Sequence, residues 1–380
     1  MTLEDFRSGF PHAERLVYLN HAATSPLSTP VREAMEAYTR ERGGIDPAGE
    51  IDAFETTLLP LLIDTREKAA ELLGTGPDRV AFVQNTSAGL NVLAEGLDWQ
   101  AGDRVAIPDG SFPTNVFPFL NQRQRGVAVD FIPTDEGSFS VKDVERTLRP
   151  GTRVVSISWV HFLSGFRADL REIGRLCADR DILFCVDAIQ GLGALQIDVD
   201  ECQIDVLAAG GHKWMMATQG IGILYCSQDV QGQIQPSAGW LHGPVDWEKL
   251  DDYELTFHDD ARRFEAGTLN SVGLAALNAA LEQNLEIGPK NIEDRIRDLA
   301  AHLAGGLAGL GLRRYGSSNP AHGSGIVTIA PDDPEALAAH LKEEGVVTAL
   351  RNRKLRFAPH AYVAIDDLDR ALEAVAQFTA

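Results

Sequence analysis

Short apolar runs recur along the middle of the chain, at 80–83, 104–107, 127–132, 154–158, 182–186, 206–208 and 222–226. Several are apolar at consecutive positions, so both faces of each strand need cover, as in a parallel or mostly parallel sheet. Between them lie stretches with helical spacing; over 169–179, Leu170, Ile173, Leu176 and Cys177 fall on one stripe. Seven such runs alternating with helices predict an α/β class with a mostly parallel seven-stranded sheet, whose ligands bind at the carboxyl ends of the strands. Gly220 and Gly222 flank Ile221 at the start of the last run and predict a strand that packs closely against its neighbour.

The pattern changes after about residue 267. Helices are expected over 271–285, 289–307, 333–344 and 366–378, and strands over 325–329, 346–350 and 354–357. This reads as a smaller α+β domain. The expected organisation is an N-terminal segment (1–25) that joins the small domain or crosses the site, a large domain (26–266) and a small domain (267–380). A length of 380 residues, 44% of them hydrophobic, is ample for two cores.

Charge and cysteine usage remove several function classes. A net charge of −21 repels nucleic acid and anionic membrane surfaces. The four cysteines, Cys177, Cys185, Cys202 and Cys226, form no CxxC pair, which argues against a zinc ribbon or redox motif, and no metal is expected. The acidic start Met1-Thr2-Leu3-Glu4-Asp5 does not resemble a signal peptide, and no apolar run reaches the roughly 18 residues of a membrane helix. A cytoplasmic protein is the expectation.

The chemistry gathers where strands end. Lys213 follows the 206–208 run in Gly210-Gly211-His212-Lys213-Trp214, and Asp187 ends the 182–186 run, with Gln190 three residues on. A lysine that forms a Schiff base, with a carboxylate that holds a pyridinium proton, is what pyridoxal phosphate chemistry requires. Asp187 also reads more plainly as a helix N-cap, but a buried carboxylate needs a partner. Asn85-Thr86-Ser87 opens a helix after the first run. Taken alone this is an ordinary cap; beside Lys213 it reads as a phosphate cradle. Phe112, in the loop after the 104–107 run, is placed to stack on a planar ring or simply to pack. His212 has an imidazole to offer the phosphate. Arg356, in a strand pattern, has the fork geometry that grips a carboxylate. No GxGxxG follows a strand and no GxxxxGK[ST] frames Lys213, which disfavours nicotinamide and nucleotide phosphate chemistry.

These residues, with Asp187-Ala188-Ile189-Gln190, Gly211-His212-Lys213, Arg263-Phe264-Glu265-Ala266-Gly267-Thr268 and Leu355-Arg356, resemble the class V aminotransferase family of fold-type I pyridoxal phosphate enzymes. That group includes cysteine desulfurases, selenocysteine lyases, isopenicillin N epimerase-like proteins and kynureninases. The resemblance spans nearly the whole chain and is specific for the family, much less so for the reaction. It implies that Lys213 forms the internal aldimine and moves protons at the substrate α-carbon. It implies further that Asp187 pairs with the pyridine nitrogen, that Gln190 contacts the ring hydroxyl, and that Thr86 or Ser87 binds the phosphate with His212. Thr268 would reach the phosphate in the neighbouring subunit of a homodimer. Arg356 would hold the substrate carboxylate, and Asn20-His21 would border the pocket.

Four departures narrow the reaction. The segment 346–354 lacks the cysteine that desulfurases carry before their carboxylate-binding arginine; without that thiolate nucleophile, persulfide formation on the enzyme is disfavoured. Phe112 stands in place of a stacking histidine, Gly210 in place of a phosphate-binding serine, and Phe162 in place of an asparagine, with His161 beside it. The expected activity is therefore transamination or β-elimination, including C–S cleavage, on a small amino acid. An epimerase is the alternative and needs a second acid/base, for which His21 and His161 are candidates. A non-catalytic protein on the same fold is the remaining reading.

Overall fold

The computed structural model describes residues 1–43, 58–246, 248–251 and 253–379. The strands in chain order are β1 (Val17–Tyr18), β2 (Val80–Val83), β3 (Arg104–Pro108), β4 (Ala128–Ile132), β5 (Thr152–Ser158), β6 (Leu183–Asp187), β7 (Val206–Gly210) and β8 (Gly222–Cys226), then β9 (Val327–Ile329), β10 (Val346–Val347), β11 (Ala349–Arg351) and β12 (Lys354–Phe357). Seven of them form one sheet in the order β2-β8-β7-β6-β5-β3-β4, antiparallel only where β8 meets β2 and β7. The fold is therefore the α/β arrangement of fold-type I enzymes, with a mostly parallel seven-stranded sheet.

Successive strand residues feed two different cores. Val155, Phe184, Val186, Leu207 and Ile223 join one apolar cluster, while Val154, Cys185, Val206, Ala208 and Leu224 join the other. This is the sheet covered on both faces that the unbroken apolar runs predict. Close approach at β8 has a measurable cause: a Cβ on Gly222 would lie 2.5 Å from the carbonyl oxygen of Ala209 on β7. Likewise, the helix Thr86–Gly96 lies on β7 because a Cβ on Gly89 would sit only 2.6 Å from that of Ala208.

The strand order reverses beside β3, which has β4 on one side and β5 on the other. The loops leaving β3 and β5 consequently diverge and open a crevice at their carboxyl ends. The loops after β6 and β7 border the same end of the sheet.

The later residues build two further sheets. The expected strand 346–350 is divided at Thr348: Val346–Val347 pairs in parallel with β1, whereas Ala349–Arg351 pairs with β12 in the sheet β11-β12-β9. The segment Val17–Tyr18 is thereby tied to the C-terminal part of the chain. The helix Ser271–Ile287 packs against the helices Thr29–Gly43 and Leu59–Leu73, and the helix Pro289–Gly309 against Ile365–Thr379. Among the described residues, no helix is long and apolar enough to cross a membrane.

Candidate active site

Lys213 lies just beyond β7, in a stretch whose backbone carbonyls are held in series. Ser25 N–H donates to the carbonyl of His212 at 2.9 Å, Ser25 Oγ to that of Lys213 at 2.6 Å, and His360 Nε2 to that of Trp214 at 3.1 Å. The trace around the lysine is thus fixed from both ends of the chain. Its Nζ stands 5.7 Å from the centre of the Phe112 ring. Burial pulls the ammonium down to about 8, against the opposing charge of Asp187, and the positive charges of Arg356 and Arg351 push the same way as burial. At neutral pH a useful fraction of the amine is therefore unprotonated.

Asp187 closes β6 and is 2% exposed. Its Oδ1 accepts the Ile189 N–H at 3.1 Å, and the Ser158 hydroxyl also bonds the carboxylate. Desolvation outweighs these and the Lys213 charge, and lifts the carboxyl to about 6. The carboxylate and the lysine sense each other's charge, and among the described residues neither forms an ion pair with the other. Gln190 is buried; its Nε2 donates to Ala22 O and its Oε1 accepts from Trp214 Nε1, both at 2.9 Å. One amide hydrogen is left for a further contact.

At the helix start, Asn85 is the N-cap and accepts from Ala88 N–H at 2.9 Å. Thr86 is buried and its Oγ1 accepts the Gly210 N–H at 2.9 Å, which joins the helix to the end of β7. Ser87 shares a 2.9 Å hydrogen bond with Thr114. His212 is half-buried and its proton affinity is lowered by burial and by the Lys213 charge. Phe112 meets Phe162 edge-on, with ring centres 5.3 Å apart.

Arg356, on β12, is 3% exposed, and its Nη1 donates to Phe162 O at 2.6 Å. Its Nε is buried without a partner among the described residues. Burial, then the Arg351 charge, brings its pKa down to about 10. Among the described residues no carboxylate pairs with it, and its guanidinium has the fork geometry that suits an anion. Thr268 is not brought to Lys213 within the chain. It lines a surface cleft of about 380 Å³ with Gln84, Ala88 and Asn91.

The two histidines named as second acid/base candidates are both engaged. His21 is fully buried, its Nδ1 donates to Ala358 O at 2.7 Å, and its Nε2 accepts from Tyr362 at 3.0 Å. Burial holds its pKa well below the usual value. His161 accepts the Ser164 N–H on Nδ1 at 3.1 Å and donates from Nε2 to Gly110 O at 3.1 Å. Each neutral ring has spent both nitrogens. His161 instead pins the loop that carries Phe112. The carbonyl grips of Ser25 and His360 and the Ser158 bond to Asp187 carry no motif, and sequence reasoning missed them.

All four cysteines are buried: Cys177 in the helix Leu170–Ala178, Cys185 in β6, Cys226 in β8, and Cys202 in the turn before β7. Burial pushes Cys177 and Cys185 up to about 12, Cys202 up to about 11, and Cys226 higher still. Between β11 and β12 the chain turns through Asn352 and Arg353, both at positive φ, with no cysteine.

Known proteins agree with this architecture. A probable cysteine desulfurase of Methanothermobacter thermautotrophicus is 33% identical over 349 residues, 90% of this chain and 85% of that one. An uncharacterized aminotransferase of Bacillus subtilis is 27% identical over 99% of this chain and 98% of its own length. The apo structure of a cysteine desulfurase from Thermococcus onnurineus superposes with a TM-score of 0.90 at 26% identity, covering 100% of this chain and 98% of that one. The family model for aminotransferase class-V matches residues 17–350. The chain belongs to the class-V aminotransferase family of pyridoxal-phosphate-dependent enzymes.

Proposed function

We propose that this enzyme removes the α-proton of a small amino acid and expels its β-substituent, C–S cleavage included, without forming a persulfide on itself. The convergence of Lys213, Asp187, Phe112 and Arg356 at one end of the sheet carries the reading. The residues fit pyridoxal phosphate: Asp187 is a buried carboxylate with no cation hydrogen-bonded to it among the described residues, suited to a pyridine N–H, and Phe112 offers a ring face beside Lys213. Thr86, Ser87 and His212 would hold the phosphate at the start of the helix Thr86–Gly96, and Gln190 the ring hydroxyl. Bound there, the cofactor supplies an electron sink for the bonds of the substrate α-carbon.

The protein does the rest. Arg356 fixes the substrate α-carboxylate and so orients the α-carbon toward Lys213. Lys213 Nζ, with its lowered proton affinity, takes the α-proton. The bond from the β-carbon to its substituent then breaks, and the substituent leaves with the electron pair. Because all four cysteines lie in the core with raised thiol pKa values, that group departs to solvent and not to an enzyme thiolate. Epimerisation fares worse, since neither His21 nor His161 has a ring nitrogen free to deliver a proton to the opposite face.

The test is to incubate holoenzyme with cysteine, cystine and alanine and to assay ammonia, pyruvate and sulfide. Stoichiometric release of ammonia with pyruvate supports elimination. Amino groups retained on the cofactor, with keto acid but no ammonia, mean transamination and sink the elimination reading. We also infer a homodimer, in which Thr268 completes the phosphate site of the neighbouring subunit. A mass of one chain, about 41.2 kDa, by light scattering of active holoenzyme would rule that out.

A further inference from the structure

Residues 160–166 follow β5, and three of their carbonyls are held by the C-terminal part of the chain. Arg356 Nη1 donates to Phe162 O at 2.6 Å, Thr328 Oγ1 to Leu163 O at 2.5 Å, and Ser324 Oγ to Gly165 O at 2.7 Å. The side chain of His161 ties the same segment the other way, to the loop after β3, with Nε2 3.1 Å from Gly110 O.

The partners of this imidazole fix its tautomer. The Ser164 N–H can only donate, and it reaches Nδ1 at 3.1 Å, with the Ser164 hydroxyl 3.0 Å from the same nitrogen. The Gly110 carbonyl can only accept, so the ring carries its proton on Nε2. The turn between Asp135 and Ser138 presses on the ring: a Cβ on Gly137 would lie 2.5 Å from His161 Nδ1.

Each tie bears on a residue of the site. Gly110 stands two residues before Phe112, which is 41% exposed and so has little core to hold it. Its backbone must place the ring. Downstream, Asn115 anchors that loop, with Nδ2 donating to Ser156 O and Oδ1 accepting from Ser156 Oγ. Upstream, His161 holds the Gly110 carbonyl. At the other ring nitrogen, the Ser164 N–H closes a turn over residues 161–164, and Phe162 O within that turn is the carbonyl that holds Arg356. One imidazole therefore stands between the ring beside Lys213 and the arginine.

We propose that His161 is a positioning residue that sets Phe112 and Arg356 at their working separation, acting on one of them through each ring nitrogen. The proposal rests on the roles given above to Phe112, a ring face for the cofactor, and to Arg356, a grip on the substrate carboxylate. In this role His161 transfers no proton and touches neither cofactor nor substrate.

Two amide substitutions separate the ties. Asparagine puts an oxygen near the place of Nδ1 and falls short of Gly110. Glutamine puts its NH2 near the place of Nε2 and loses the acceptor for Ser164. Circular dichroism of the visible cofactor band in the holoenzyme reports the ring packed on the cofactor. Calorimetry with propionate, a carboxylate with no amino group to react, reports Arg356. Hydrogen exchange on cofactor-free protein, read by mass spectrometry, follows residues 109–117 and 160–168. His161→Gln should weaken propionate binding and speed exchange over 160–168 by roughly two- to tenfold, the range of one neutral hydrogen bond, with the dichroic band unchanged. His161→Asn should alter the band and speed exchange over 109–117 by a similar factor, with propionate binding unchanged. A role in stability alone would lower the unfolding midpoint and move every readout alike in both variants. That outcome, or readouts untouched by either variant, overturns the proposal. Phe112→Leu and Arg356→Ala are measured beside them. If the first leaves the band unchanged or the second leaves propionate binding unchanged, the roles read above fall and the proposal falls with them. If both respond and the His161 variants do not, the proposal alone falls.

Discussion

Replacing Asp187 by asparagine should stabilise the cofactor-free protein while disabling the enzyme. The carboxyl is lifted from its ordinary 3.8 to about 6 because burial strips its water and the Ile189 N–H, Ser158 and Lys213 only partly compensate. A tenfold change in proton affinity is 1.36 kcal/mol, so carrying this group ionised destabilises the fold by about 3 kcal/mol well above pH 6. Asparagine keeps an oxygen for the Ile189 N–H and drops the charge. After allowing for imperfect bonding of its NH2, a gain of about 1–3 kcal/mol remains. The folded pKa is raised, so the native protein has its full stability from this group below about 3.8 and loses it as pH rises through about 6. The difference between variant and parent should therefore be small at pH 4 and full at pH 8. Chemical denaturation of cofactor-free protein at those two values measures it. Added pyridoxal phosphate should reverse the order, because the carboxylate carries the charge that favours a protonated pyridine and asparagine does not. A destabilised variant at pH 8, or a gain of equal size at both pH values, would refute the desolvation argument.

Other expectations follow from the same geometry. Lys213→Ala should abolish the visible band of the lysine-bound cofactor and leave no adduct reducible by borohydride. In the parent, attachment of added cofactor should accelerate as pH rises through about 8, because the amine must be unprotonated to attack; a rate that is flat across that range would contradict the lowered pKa. Arg356→Ala should raise KM for carboxylate substrates by roughly 10–100-fold, the loss of a charge-assisted hydrogen bond, and an unchanged KM removes it from the site. Glu265→Ala should cost about 3–5 kcal/mol in chemical unfolding, since Arg66 would lose its carboxylate while still buried against Phe82. A loss below 1 kcal/mol would show that water reaches the pair.

The sheet was legible because its strands are apolar on both faces; each expected run lies within two residues of an observed strand end. Pairing was not legible. The segment 346–350 reads as one strand, yet Val346–Val347 joins β1 from the opposite end of the chain and Ala349–Arg351 joins β12. Nothing local to Thr348 encodes that division. Lys213 and Asp187 stood out because polar residues at the ends of apolar runs are conspicuous. His21 and His161 stood out as well, but their hydrogen-bond partners lie at Ala358, Tyr362 and Gly110, too distant in sequence to be read. Arg351 went unremarked because an arginine beside a tight turn ordinarily belongs to solvent.

The grip on the three carbonyls at Lys213 has a bearing on biosynthesis. Ser25 is made long before Lys213 and His360 long after it, and Val17–Tyr18 lacks its partner strand until Val346–Val347 exists. A nascent chain can form the central sheet once residue 226 has left the ribosome, since domains fold as units while synthesis continues. It cannot yet secure the lysine. Chains that stop short of His360 lack that hold on the segment of the lysine.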